Sequence, residues 1–218
     1  STAVKLRNAA DPVAVEEGDF TVTKALAGDG DFSGSTFEFS YTCTDGTEGT
    51  LTVTGAATSE KSKKIKAGST CTVTENGAKA AQGGYTLTAP DAQTVTIAKD
   101  QTAQVTMTNT YARDMGTFSV TKSVTGAEVG DKEFTFSYTC DNNAKDTLKV
   151  KADGAAVSGP QLPVGTKCTI TEDAQAAQIE RHTLEAPASQ EVTTVEKNQE
   201  VATTFTNTYT AKPSPSPS

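Results

Sequence analysis

Three polar residues recur twice in this chain at positions where alternation calls for apolar side chains. Residues 20–26 read F-T-V-T-K-A-L and residues 118–124 read F-S-V-T-K-S-V. Successive residues of an extended strand point to opposite faces. Lys24 therefore shares a face with Phe20, Val22 and Leu26, and Lys122 with Phe118, Val120 and Val124. By the same test Glu75 lines up with Cys71 and Val73, and Glu172 with Cys168 and Ile170. Asn109 falls in line with Val105, Met107 and Tyr111, and Asn207 with Val201, Phe205 and Tyr209. A lysine, a glutamate and an asparagine thus point toward an apolar interior from three separate strands, twice over.

An isolated charge in such an interior costs several kcal/mol, so the groups are tolerable only if they meet. If they meet, chemistry follows. Desolvation pushes the lysine toward its neutral, nucleophilic amine and the glutamate toward its protonated acid. The acid can hydrogen-bond and polarise the carboxamide and carry protons. Attack of the amine on the amide carbon would expel ammonia and leave a Lys–Asn isopeptide bond. The bonded pairs would be Lys24–Asn109 and Lys122–Asn207, with Glu75 and Glu172 as the catalytic acids. This is one turnover within one molecule, not catalysis on a substrate. Two other outcomes fit the same pattern. One is a buried Lys–Glu ion pair with the asparagine as a hydrogen-bond partner. The other is a one-residue register slip, which would carry a polar residue out to solvent.

The elements that must position these residues come as an internal repeat. F-E-F-S-Y-T-C at 37–43 returns as F-T-F-S-Y-T-C at 134–140, A-G-S-T-C-T-V-T-E at 67–75 as V-G-T-K-C-T-I-T-E at 164–172, and V-T-M-T-N-T-Y at 105–111 as T-T-F-T-N-T-Y at 203–209. Two tandem domains are expected, at 18–111 and 117–210, joined by a short linker at 112–116. Short alternating runs broken by Gly, Asp and Asn predict an all-β protein with about seven strands per copy, a β-sandwich. In the first copy they are placed near 19–26, 36–43, 49–54, 63–66, 70–75, 85–88 or 94–98, and 103–111. Residues 1–17 read as a leader or the end of an upstream repeat, since V-K-L-R-N-A at 4–9 loosely matches V-T-M-T-N-T at 105–110. The opening residues suggest a fragment of a longer protein. The run A-K-P-S-P-S-P-S at 211–218, with its alternating Pro and Ser, favours an extended spacer.

The four cysteines fall two per copy, Cys43 with Cys71 and Cys140 with Cys168, at equal spacing. Pairing within each copy is the simplest arrangement; buried free thiols are the alternative. Two cysteines without a nearby histidine do not make a tetrahedral metal site. Disulfides point to an oxidising compartment. A net charge of −8 argues against nucleic acid, whose phosphates call for basic patches. No apolar run approaches the ~20 residues of a membrane span. The acidic turns D-G-D at 29–31 and D-N-N-A-K-D at 141–146 lack a full calcium-loop spacing, and no Ser–His–Asp set exists around the single histidine, His182. No cofactor, no metal and no enzyme activity on an external substrate are expected.

The same residues carry a family resemblance. The repeat resembles the collagen-adhesin B-type (Cna-B) domain of Gram-positive surface proteins and pilins. That family has an early apolar-x-apolar-x-Lys strand, a middle motif near P-x-G-T-Y-x-L-x-E and an asparagine in the last strand. Q-L-P-V-G-T-K-C-T-I-T-E at 161–172 follows the middle motif with Cys168 replacing an aromatic, and I-K-A-G-S-T-C-T-V-T-E at 65–75 follows it without the proline. G-G-Y-T-L at 83–87 matches the Gly-Tyr after the family's glutamate, where the second copy has Arg181 and His182. The resemblance implies a prealbumin-like, Ig-like sandwich with adjacent first and last strands, and the two Lys–Asn isopeptides named above. Paired cysteines suggest an actinobacterial-type variant in which disulfide and isopeptide links coexist. It also implies a stalk segment of a cell-wall-anchored adhesin or pilus-like protein at the bacterial surface, with neighbouring repeats as partners and a distal domain meeting a host protein or glycan. The alternative is a ligand-binding Ig-like module held by salt bridges.

Overall fold

The computed structural model describes residues 14–215; residues 4–9, matched above to a last strand, lie outside them, as do the final three of the Pro/Ser segment. The chain divides between Ala112 and Arg113 into two units.

In the first unit, alternating Thr and apolar residues make long strands because β-branched side chains suit the pleat and the apolar alternates need a common face. The strands are β1 (Glu17–Gly28), β2 (Thr36–Cys43), β3 (Glu48–Thr54), β4 (Ile65–Lys66), β5 (Thr70–Glu75), β6 (Tyr85–Thr88), β7 (Gln93–Thr96) and β8 (Thr102–Arg113), with one helical turn, α1 (Gly77–Ala80), after β5. Both 85–88 and 93–96 are strands, where alternation alone offered one or the other. They edge opposite sheets, ordered β4-β1-β8-β6 and β3-β2-β5-β7. Phe20, Val22, Val105, Met107 and Tyr111 of the first sheet and Phe37, Phe39, Tyr41, Val53 and Val73 of the second form one buried core. Phe20 meets Tyr41 edge-on at 5.0 Å between centroids.

The second unit repeats this with β9 (Met115–Thr125), β10 (Glu133–Cys140), β11 (Lys145–Lys151), β12 (Val157–Ser158), β13 (Leu162–Pro163), β14 (Lys167–Glu172), β15 (His182–Glu185), β16 (Gln190–Thr193) and β17 (Glu200–Ala211). The sheets run β12-β9-β17-β15, with β13 also on β9, and β11-β10-β14-β16. β8 extends to Arg113 and β9 starts at Met115, so most of 112–116 is strand rather than coil: Met115 pairs with Pro163 and Gly116 with Leu162.

One pairing governs the site. The first and last strands of each unit are parallel neighbours, β1 with β8 and β9 with β17. Their register sets Lys24 beside Met107 and Lys122 beside Phe205, so each asparagine lies two residues further along the same face, diagonal to its lysine. The glutamates reach the same space from the facing sheet, Glu75 opposite Phe39 on β2 and Glu172 opposite Phe136 on β10.

The cysteines form disulfides Cys43–Cys71 and Cys140–Cys168 across directly opposed residues of β2/β5 and β10/β14, with Cα atoms 4.0 Å apart. Thr44 N donates to Thr70 O at 3.0 Å and Asp141 N to Lys167 O at 2.9 Å, which makes each Cys pair a non-hydrogen-bonded one, where opposed side chains approach most closely. In the chain-entropy estimate each closure contributes about 3–4 kcal/mol. The acidic turns have structural tasks: Asp31 Oδ1 accepts from Ser33 N, Asn142 Oδ1 from Ala144 N and Asp141 Oδ1 from Lys167 N.

The copies differ before the strand that follows the glutamate. Gly84 has φ 80° and Arg181, at the matching position, has φ 63°. A left-handed residue with a Cβ costs roughly 1–2 kcal/mol, and glycine avoids that cost. Arg181→Gly is expected to stabilise the second unit by roughly 1 kcal/mol, read as a higher unfolding midpoint in denaturant; a lower midpoint would show that the arginine's own contacts outweigh its strain.

Candidate functional site

The sequence-predicted lysine, glutamate and asparagine converge in each unit. Lys24 and Lys122 are 2 % exposed, Asn109 and Asn207 0 %, and Glu75 and Glu172 9 % and 6 %. In the first unit Lys24 Nζ donates to Glu75 Oε2 at 2.7 Å and to Met107 O at 3.4 Å, and it is hydrogen-bonded to Asn109 Oδ1. In the second, Lys122 Nζ lies 3.2 Å from both Glu172 carboxylate oxygens and donates to Phe205 O at 3.2 Å and to Asn207 Oδ1. No register slip has moved any of the six outward.

The walls are aromatic. Lys24 Nζ is 4.9 Å from the ring centroid of Phe37 and 5.7 Å from that of Phe39; Lys122 Nζ is 5.1 Å and 5.8 Å from Phe134 and Phe136. The rings partly compensate a cation through their faces and exclude water. Burial holds both ammonium groups below the usual lysine range, against the opposing pull of their glutamates. Each amine is thus biased toward its neutral form, in contact with an amide oxygen and with a carboxylate placed to take its proton.

The carboxamide is held at its other end too. Asn109 Nδ2 donates to Tyr111 Oη at 3.3 Å, and Asn207 Nδ2 to Tyr209 Oη at 3.1 Å. Asn207 Nδ2 also donates to Glu172 Oε1 at 2.9 Å, whereas Glu75 Oε1 is buried without a hydrogen-bond partner. Alternation put both tyrosines on the inner face, but nothing in the pattern marked their hydroxyls as part of the site. Asp19 is a further buried carboxylate, 2 % exposed, satisfied by Thr102 Oγ1 at 2.5 Å and Lys64 Nζ at 3.0 Å. Thr117 takes its place in the second unit, so it lies outside the repeated arrangement.

Removing one member of a buried pair strands the other charge, at about 3–5 kcal/mol. Glu172→Ala should therefore cost the second unit about that much in denaturant unfolding. Lys79→Ala, which breaks the exposed 2.5 Å pair with Glu38, should leave the midpoint where it is. Equal effects would mean that water reaches Lys122.

Residues 20–112 and 118–210 each match the family described as "Domain of unknown function (DUF5979)". No curated protein matches the chain. Among solved structures, the TIE protein of Bacillus anthracis superposes with TM-score 0.50 at 15% identity, covering 88% of this chain and 34% of that one. This chain therefore spans about a third of that protein. The major pilin of Streptococcus pyogenes has TM-score 0.34 at 15% identity, covering 90% and 99% of the two chains. A Mobiluncus mulieris adhesin, described as containing intramolecular disulfide, isopeptide and ester bond cross-links, has TM-score 0.35 at 15% identity, covering 89% and 98%. Each unit has the two-sheet Ig-like sandwich that the Cna-B resemblance implied. The chain belongs to the DUF5979 family and carries that domain twice, as two tandem all-β sandwiches.

Proposed function

We propose that this chain is a stalk segment of a bacterial cell-surface adhesin or pilus-like protein, and that each domain closes itself with an isopeptide bond, Lys24 to Asn109 and Lys122 to Asn207. The carrying observation is the meeting, in both units, of a buried amine, a carboxylate and a carboxamide. The adhesins and pilins among the structural neighbours agree with the role, as do the two disulfides, which suit an oxidising extracellular setting.

The reaction begins when Lys24 Nζ passes a proton to Glu75, which neutralises both buried groups. The amine lone pair attacks Asn109 Cγ, a C–N bond forms, and the carbonyl electrons move onto Oδ1. Glu75 returns its proton to Nδ2 and takes one from the attacking nitrogen. As the carbonyl re-forms, the Cγ–Nδ2 bond breaks and ammonia leaves. The new amide keeps one proton and the last stays on Glu75. Glu172 serves Lys122 and Asn207 in the same way. The product replaces a buried charge by a neutral amide, which relieves the desolvation cost that drives the step. Closing a loop of this length adds about 4–5 kcal/mol in the chain-entropy estimate, and resistance to pulling and proteolysis adds a kinetic benefit.

The parallel pairing of first and last strands supports a bond at this position. The chain enters each sandwich at one end of this strand pair and leaves at the other, so tension along the chain shears these two strands. A covalent link between them carries that tension past the rest of the domain.

Intact mass tests the proposal. The reduced chain should fall short of its sequence mass by two ammonias, and the oxidised chain by four hydrogens more. Lys24→Ala should restore one ammonia and lower resistance to heat and protease. A reduced chain of full mass would reject the cross-link and leave two salt-bridged sandwiches.

A further inference from the structure

A carboxamide has a donor end and an acceptor end, and only one orientation suits attack by the lysine. If Asn109 were flipped, its NH2 would face the Lys24 ammonium and its oxygen would lose the polarising contact. The structure contains a device that selects the orientation, and it contains it twice. Tyr111 and Tyr209 lie two residues beyond the asparagines, on the same inward face, and are 1 % and 3 % exposed. Their hydroxyls donate to Ala80 O at 2.7 Å and Ala177 O at 2.6 Å. A hydroxyl whose only proton is committed in this way can offer its neighbour nothing but lone pairs. The asparagine must therefore present Nδ2, at 3.3 Å and 3.1 Å, which turns Oδ1 toward the lysine.

The anchoring carbonyls are no accident of the loop. Ala80 and Ala177 follow Glu75 and Glu172 by the same number of residues, and both are buried. In the first unit the intervening turn is α1, capped by Asn76 Oδ1 accepting from Lys79 N. In the second, Asp173 Oδ1 accepts from Gln175 N and Ala176 N. The segment that supplies the acid also supplies the carbonyl that orients the tyrosine, and the tyrosine orients the amide. Burial raises the Tyr209 hydroxyl above the ordinary tyrosine range, so its proton stays available for Ala177.

We propose that Tyr111 and Tyr209 are positioning residues for isopeptide formation: each fixes the asparagine carboxamide with its oxygen toward the amine and its nitrogen on the departing side. The inference rests on the reading that the isopeptides form.

Tyr111→Phe keeps the ring and removes the hydroxyl. The full chain is made by cell-free translation under oxidising conditions and chased. Ammonia loss is then assigned to each unit by mass of the cross-linked proteolytic peptides. In the parent both units should complete the bond. In Tyr111→Phe the first unit should lag by roughly ten- to a hundredfold, while the second unit of the same molecules keeps its parental rate. Its rate should still climb with pH to a plateau at the midpoint found for the parent, because the tyrosine orients the amide and leaves the titration of Lys24 alone. Tyr209→Phe should slow the second unit and spare the first, by a smaller factor, because Glu172 Oε1 also holds Asn207 Nδ2 there. An unchanged rate in Tyr111→Phe would overturn the proposal. So would a lag accompanied by a shifted pH midpoint or by loss of the Cys43–Cys71 disulfide, since either would place the effect in the amine or in the fold. A parent with no ammonia loss in either unit would instead sink the isopeptide reading, and so is distinguishable from an idle tyrosine.

Discussion

In each domain an ammonium group sits between two phenylalanine rings, a carboxylate and a carboxamide, with almost no exposure to water. A buried ion pair of this kind is a poor source of stability, because the desolvation of both ions offsets most of their attraction. Well-packed apolar residues in the same space would serve folding as well or better. The arrangement is nevertheless built from three strands and two sheets, and it is built twice. The aromatic walls withhold water, which weakens the charged form of the amine. The carboxylate keeps the lysine inside despite that penalty and offers its proton a destination. The neighbouring amide is the one group whose reaction removes the charge altogether.

The topology converts these tendencies into geometry. A parallel pair of neighbouring strands requires a long connection, and here the whole remainder of the sandwich is that connection. The first and last strands are thereby held side by side only when everything between them has folded. The glutamate comes from the opposite sheet, so its arrival requires the two sheets to pack. Chemistry that needs all three groups is conditional on a completed fold, and an incompletely folded chain brings no amine to the wrong carboxamide.

Alternation made much of this legible. It put Lys24, Glu75 and Asn109 on inner faces because two-residue periodicity is insensitive to which strand pairs with which. For the same reason it could not say that Lys24 lies beside Met107 and diagonal to Asn109, or that Glu75 approaches from the facing sheet. Those facts depend on pairing over long sequence separations. Four residues carry no helical period, so alternation does not reveal the helical turn at Gly77–Ala80; its visible signal is the capping Asn76. Thr203 shows a further limit. It occupies the inner-face position of Val105, which polarity alone would count against, and the structure admits it because its hydroxyl donates to Ser119 O at 2.7 Å. Asp19 was unreadable for a similar reason, since its partners Thr102 and Lys64 come from distant parts of the first unit.

The disulfide and the proposed isopeptide differ in what they can do. Both cysteines of each domain lie between the site's lysine and asparagine in sequence, Cys43 and Cys71 within 25–108 and Cys140 and Cys168 within 123–206. Once the first and last strands are joined, tension passes through the joined strands and bypasses the disulfide. Its contribution must then lie elsewhere. Each disulfide ties together the two strands whose pairing carries the glutamate, β2 with β5 and β10 with β14, at the far end of the strand from that glutamate. A one-residue slip of β5 against β2 would turn Glu75 to solvent and silence the site. By pinning the register of that pair, the disulfide protects the position of the acid, and by closing a loop it favours the folded state in which the amine and amide can meet. The reversible link thus guards the conditions that the proposed irreversible one requires.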